Sequence, residues 1–251
     1  MAEIVAGALR ERIVSGDLPD GGSLPTLDAL IDEFGVSAPS IRQALRILEH
    51  EGLITVRRGS VGGALVHRPS ATAAAYMVGL VMQSDHVSVN DLARALGHLE
   101  PLCAELCARR PDRLRTVAPK LRRAHELSLD AVDAPAFEAQ ARRFHEELVK
   151  GCGNDSLALM VSTMERLWFV QEASWARRVT RSSESPTAEV RALGEQAHAI
   201  ILDAIERGDA GAASAAAREH SSHPDSYGPR TRGAGRVQVT NLRPRPAVGG
   251  R

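Results

Sequence analysis

Along residues 34–52, FGVSAPSIRQALRILEHEG, the apolar positions Ile41, Leu45 and Leu48 recur at i, i+4 and i+7. That spacing predicts a helix with one buried stripe. Arg42, Arg46 and Glu49 repeat the same spacing on a different face. Gly35 allows the positive φ of a tight turn, Ser37 is a good N-cap, and Pro39 is tolerated in a first turn. Gly52 is placed to end the helix. Read alone, the pattern fits two things. One is an amphipathic helix with a solvated charged face; the other is the second helix of a helix-turn-helix reader.

The flanks extend the pattern. Residues 2–15 place Ile4, Val5, Ala8, Leu9 and Ile13 near one helical face, closed by Gly16. The segment DLPDGGSLP is rich in turn residues and predicts a loop. Thr26 then caps a helix carrying Leu27, Leu30, Ile31 and Phe34. After Gly52 the texture changes to two short β-like runs, LITV and ALVH, separated by RRGSVGG. Three helices and a basic two-stranded hairpin predict a winged helix-turn-helix over residues 1–68. Its DNA-facing candidates are Ser37, Pro39, Ser40, Arg42, Gln43 and Arg46 on the helix, with Arg57, Arg58, Gly62 and Gly63 in the wing.

HRPS at 67–70 reads as a linker. Beyond it only helical periodicity occurs, over 71–84, 88–109, 113–128, 134–151, 156–178, 186–207 and 209–221. Ser88 with Asp91 resembles a capping box. Asp112, Asp133 and Ser185 are expected N-caps, and Pro135 and Pro186 fall in first turns. Gly208 and Asp209 end one helix and begin the next. Pro119 inside 113–128 predicts a kink or a late start. The expected fold is therefore mainly α: a winged helix-turn-helix followed by an all-α antiparallel bundle over 69–222. Residues 223–251 are rich in Gly, Pro and Arg with Asp225 the one acid, and predict a disordered basic tail.

Composition narrows the classes. The chain has 251 residues, 43% hydrophobic but only 3% aromatic, so its core is built from Leu, Ala, Val and Ile. Net charge is zero, so nucleic-acid binding has to come from a local patch. Residues 1–68 hold seven Arg against nine Asp or Glu. Arg42, Arg46, Arg57, Arg58 and Arg68 are the residues available for such a patch. Weak monomer binding, strengthened by dimerisation on two half-sites, is expected. No apolar run approaches the ~20 residues of a membrane span, and no signal pattern opens the chain. Three cysteines, Cys103, Cys107 and Cys152, without a C-x-x-C, are expected to be reduced thiols of a cytoplasmic protein, the first two packed in a core.

ALRERIVSGDLPDGGSLP, FGVSAPSIRQALRILEHEGLI and RRGSVGGALV together resemble the N-terminal domain of GntR-type bacterial transcription regulators. The resemblance implies a DNA operator as partner. It assigns Arg42 to DNA contact and Gly62 and Gly63 to the wing tip. The family has a basic residue where this chain has Asp28, and Arg where it has Ala38. FHEEL and HAIILDAIERGDAGAASAAAREH resemble the helical FCD effector domain of the FadR-like branch. There a carboxylate and three histidines commonly hold a divalent metal that anchors a small carboxylate effector. The matching positions are His145, His198 and His220, for Zn²⁺ or a similar ion. Ala141 stands where the carboxylate is expected. Glu138 lies about 10 Å further along the helix axis from His145 and is a poor substitute. Leu96 and Gly97 stand near the family's arginine. Arg94, Arg142 and Trp168 are the remaining effector-contact candidates, each also readable as surface or core. Trp168 and Trp175, seven residues apart, equally fit a core or dimer contact.

The leading expectation is a homodimeric, ligand-responsive transcription regulator. Two alternatives stay open: a metal-dependent hydrolase on a helical scaffold, and a regulator whose helical domain has lost metal and effector and serves only in dimerisation.

Overall fold

The computed structural model describes residues 1–57, 63–179, 188–222 and 235–239. The chain divides into two compact units, Met1–Ala74 and Ala75–Leu242.

The first unit contains α1 (Ala2–Ser15), α2 (Leu27–Phe34), α3 (Ala38–His50), β1 (Ile54–Arg57) and β2 (Gly63–Val66). Thr26 Oγ1 accepts from the Ala29 N–H at 3.3 Å and starts α2. Gly35, at φ 62°, ends α2 and donates to the Ile31 carbonyl. Ser37 stands at the N-cap of α3 but makes no side-chain cap, contrary to expectation. Its Oγ lies 3.1 Å from Ser40 Oγ, and the two hydroxyls satisfy each other. β1 and β2 are antiparallel, with Ile54 opposite Val66 and Arg57 opposite Gly63. Part of the expected loop joins this ribbon. Gly21 donates to Val66 O, Val66 to Gly22 O and Leu24 to Ala64 O, at 2.8–2.9 Å. Leu24 is buried by that pairing.

Leu9, Ile13, Leu30, Ile41, Leu48 and Ile54 form the core of this unit. Ala44 takes part in the buried stripe of α3, while Leu45 is half-buried. The expected linker is largely tied down. His67 donates its N–H to Leu53 O, and its Nε2 lies 2.9 Å from Thr55 Oγ1. Arg68 donates its N–H to Asp20 and its guanidinium to Val14 O. Ser70 Oγ accepts from Ala73 N and opens the next helix. Only Pro69 lies between these anchors.

The second unit contains α4 (Ala71–Ser84, which begins within the first), α5 (Val89–Arg109), α6 (Arg113–Thr116), α7 (Ala118–Leu129), α8 (Ala134–Gly151), α9 (Asp155–Val179), α10 (Ala188–Arg207) and α11 (Ala210–Ser222). α5 is central and packs against α8, α9, α10 and α11. Ser88 and Asp133 cap α5 and α8 as expected, through Asp91 N and Ala136 N. The single helix expected over 113–128 divides into α6 and α7, with Pro119 in the first turn of α7. Asp112 does not cap. Both its oxygens accept from Arg110, whose guanidinium holds the carboxyl down at about 2. Gly208, at φ 74°, separates α10 from α11. Arg113 Nε closes α10 by donating to Ile205 O at 3.0 Å. Ser185 and Pro186 lie outside the described residues.

Cys103, Cys107 and Cys152 are buried free thiols. Burial pushes Cys107 up to about 12, which suits packing and not reactivity. Residues 235–239 correct the expectation of a free tail. Val237 and Val239 are buried against the helical unit. Among the described residues no helix is long and apolar enough to cross a membrane.

Leu48 is wholly buried at the centre of the first core. Leu48→Ala is expected to destabilise that unit by about 2–5 kcal/mol, measured by urea unfolding.

Candidate functional site

The first candidate surface is the outer face of α3. Burying Ile41, Ala44 and Leu48 turns Pro39, Arg42, Gln43 and Arg46 outward. These four positions follow i, i+3, i+4, i+7 and form one exposed stripe, with Ser37 and Ser40 at its start. Among the described residues no acid pairs with Arg42 or Arg46. Three of the unit's acids, Glu33, Glu49 and Glu51, are engaged elsewhere. Arg10 binds Glu51 bidentately at 2.6 and 2.8 Å, and Arg12 binds Glu33 at 2.9 Å. Glu49 accepts from Val56 N and ties α3 to β1. Arg68, expected in the phosphate patch, is spent on Val14 O. Gly63 opens β2. Arg58 and Gly62 lie outside the described residues, and of Arg57 only the backbone, in β1, is described.

The second site is a histidine centre. His145 on α8, His198 on α10 and His220 on α11 converge, their ligand nitrogens all within 4.8 Å of one another. His145 Nε2 lies 3.3 Å from Nε2 of His198 and 3.3 Å from Nε2 of His220. Nitrogens sharing one tetrahedral zinc at 2.0–2.1 Å would stand about 3.3–3.4 Å apart. The donor set and its spacing therefore fit such an ion.

Each imidazole is oriented by its own support. His198 stacks on Phe144, with centroids 4.1 Å apart and planes at 10°. His220 stacks on His145, with centroids 5.2 Å apart and planes at 16°, and α11 packs along α5. His145 Nδ1 lies 3.1 Å from Glu100 Oε2 on α5. With Nδ1 protonated, His145 donates to that carboxylate and turns the lone pair of Nε2 toward the other two histidines. This is the carboxylate–histidine arrangement that supports bound metals from behind.

Glu100 is almost wholly buried and was not among the expected site residues. Its signal was present: an acid within the apolar series Leu92, Leu96, Cys103 and Cys107 of α5. Glu138 does not join the group. A second unexpected acid is Glu165 on α9, 1% exposed, with no hydrogen-bond partner to either oxygen. Burial, and then Glu100 and Glu146, push its carboxyl well above the usual range. Burial, followed by His145, His220 and His125, keeps His198 well below the usual imidazole range.

The effector-contact candidates separate. Arg94 is exposed and paired with Asp91 at 2.7 Å, so it is not brought to the histidines. Arg142 stacks its guanidinium 4.4 Å over Phe169. Trp168 is buried in the same core as Phe144. The side chain of Trp175 lies outside what is described.

A winged reader followed by a helical bundle with a histidine centre defines a ligand-responsive class of transcription regulator. Residues 1–62 match the family described as bacterial regulatory proteins, gntR family, and residues 91–223 match the FCD domain. The chain belongs to the GntR family of bacterial regulators, in its FCD-bearing, FadR-like branch. It is 28% identical over 219 residues to the Uxu operon regulator of Haemophilus influenzae, covering 84% of this chain and 76% of that one. It is 33% identical over 158 residues to the gluconate operon transcriptional repressor of Bacillus licheniformis, covering 62% and 57%. Its fold is similar to that of a GntR protein of Streptococcus agalactiae, with TM-score 0.66 and 24% identity over 88% of this chain and 97% of that one. The two matched domains imply DNA as one partner and a small-molecule effector as the other.

Because His198 is buried neutral, the unfolded chain binds more protons than the folded one below about pH 6.5. In chelator-treated protein, stability is expected to be full above that pH and to fall as the pH drops toward 5. Urea unfolding across this range should show the loss, and His198→Asn should flatten it.

Proposed function

We propose that this regulator adjusts its operator affinity to a small carboxylate bound at a divalent metal. His145, His198 and His220 would hold the ion. The observation that carries the proposal is the convergence of three Nε2 atoms with Glu100 behind His145. An ion there would supply a Lewis-acidic position for an anionic ligand. The gluconate operon named for one relative supports a carboxylate as the ligand class.

The protein acts on duplex DNA, as a cytoplasmic homodimer, with α3 in the major groove. Pro39, Ser40, Arg42, Gln43 and Arg46 face the bases and phosphates, and Arg57, Arg58, Gly62 and Gly63 add further DNA contacts. Effector binding shifts the operator equilibrium by its differential affinity for two states of the dimer. The named relatives are regulators, and no catalytic step is assigned to the histidine centre.

Two measurements test this. Duplexes enriched by the full chain from a random pool should lose affinity steeply with salt. Arg42→Ala should weaken binding further and reduce the log–log slope by about one unit. Absence of any enriched sequence would overturn the DNA assignment. Separately, zinc titration followed by calorimetry should show one site per chain. His220→Ala should abolish it, and Glu100→Gln should weaken it by about 10–100-fold. Full chain that takes up no zinc, manganese or nickel would leave the helical domain with dimerisation alone.

A further inference from the structure

The matched effector domain ends at residue 223, yet residues 235–239 are built into the helical unit beyond that end. They form a short segment joined to the chain at Ser88 by one antiparallel bridge at Arg236. Val237 and Val239 are buried, while Gly235, Arg236 and Gln238 face outward, the alternation of a strand with one covered side. Five of its backbone groups are paired. Val89 donates to Gly235 O at 2.9 Å, and Val237 donates to Val87 O at 3.0 Å. Gln171 on α9 grips Gln238 from both sides, accepting its N–H at 3.1 Å and donating to its carbonyl at 2.8 Å. Val239 donates to Gln83 Oε1 on α4 at 3.2 Å. Gly79 on α4 completes the groove. A Cβ at that position would run into both Val239 and Leu167 of α9, so no side chain fits there.

α4 is thinly packed. Only Ala75 and Gly79 are fully buried, Tyr76, Val78 and Met82 are partly buried against the core, and Met77 and Val81 are about 60% exposed. The segment lies on Gly79, accepts from Val89 N and donates to Val87 O, and reaches α9 through Gln171.

We propose that α4, the turn at 87–89 and α9 form a peptide-binding groove. It takes an extended segment with β-branched residues at alternate positions. Its occupant is the chain's own 235–239, and its occupancy fixes α4 to the bundle. Strand addition to an open backbone edge with alternate side-chain pockets is a general mode of peptide capture. The inference is independent of the histidine centre.

Hydrogen exchange on the full chain tests it. In Val237→Asp/Val239→Asp, and separately in Gln171→Ala, amides of residues 71–84 should exchange about tenfold faster or more, while α10 and α11 keep their protection. A synthetic peptide of residues 232–242 added to the double variant should restore protection of α4. The same peptide carrying both aspartates should not. Unchanged exchange in α4, equal acceleration in every helix, or no effect of the peptide would each overturn the proposal.

Discussion

A carboxylate inside an apolar helix has to be compensated, and Glu100 is compensated by His145. Desolvating an ionised carboxylate without a partner costs several kcal/mol. The hydrogen bond from His145 Nδ1 offsets that cost and fixes the ring at the same time. Because Nδ1 is engaged behind, Nε2 has one direction left, toward α10 and α11. The geometry of the histidine centre thus follows from a requirement of the core. Phe144 does the same for His198 by stacking, without a polar bond.

The reader solves a different electrostatic problem. Its acids outnumber its arginines, yet the exposed face of α3 is basic. Glu51 and Glu33 are paired to Arg10 and Arg12 of α1, and Glu49 serves β1. What remains on the outer face is Arg42 and Arg46 with Gln43 between them. Sign and position, not total charge, make such a surface suited to phosphates.

Much of this was legible in sequence. Period and caps placed every described helix to within a residue or two, apart from the division at Pro119. The Gly208–Asp209 break put His198, in the middle of α10, and His220, in the last turn of α11, on two successive helices. What the chain concealed is non-local. Glu100 lies 45 residues before the ring it holds, so neither periodicity nor local spacing connects them. The strand at 235–239 was read as free because Gly, Pro and Arg dominate around it, and its partners Gln83 and Gln171 are distant in sequence. Ser37 has the right residue type for a cap, but a neighbouring hydroxyl competes for it.

Pro69 stands alone between Arg68, anchored to Asp20 and Val14, and Ser70, which starts α4. Its ring fixes φ near −65°. The first unit therefore carries its own hydrogen bonds up to the first turn of α4, and a fragment ended before Arg68 would leave Asp20 and the Val14 carbonyl without these partners.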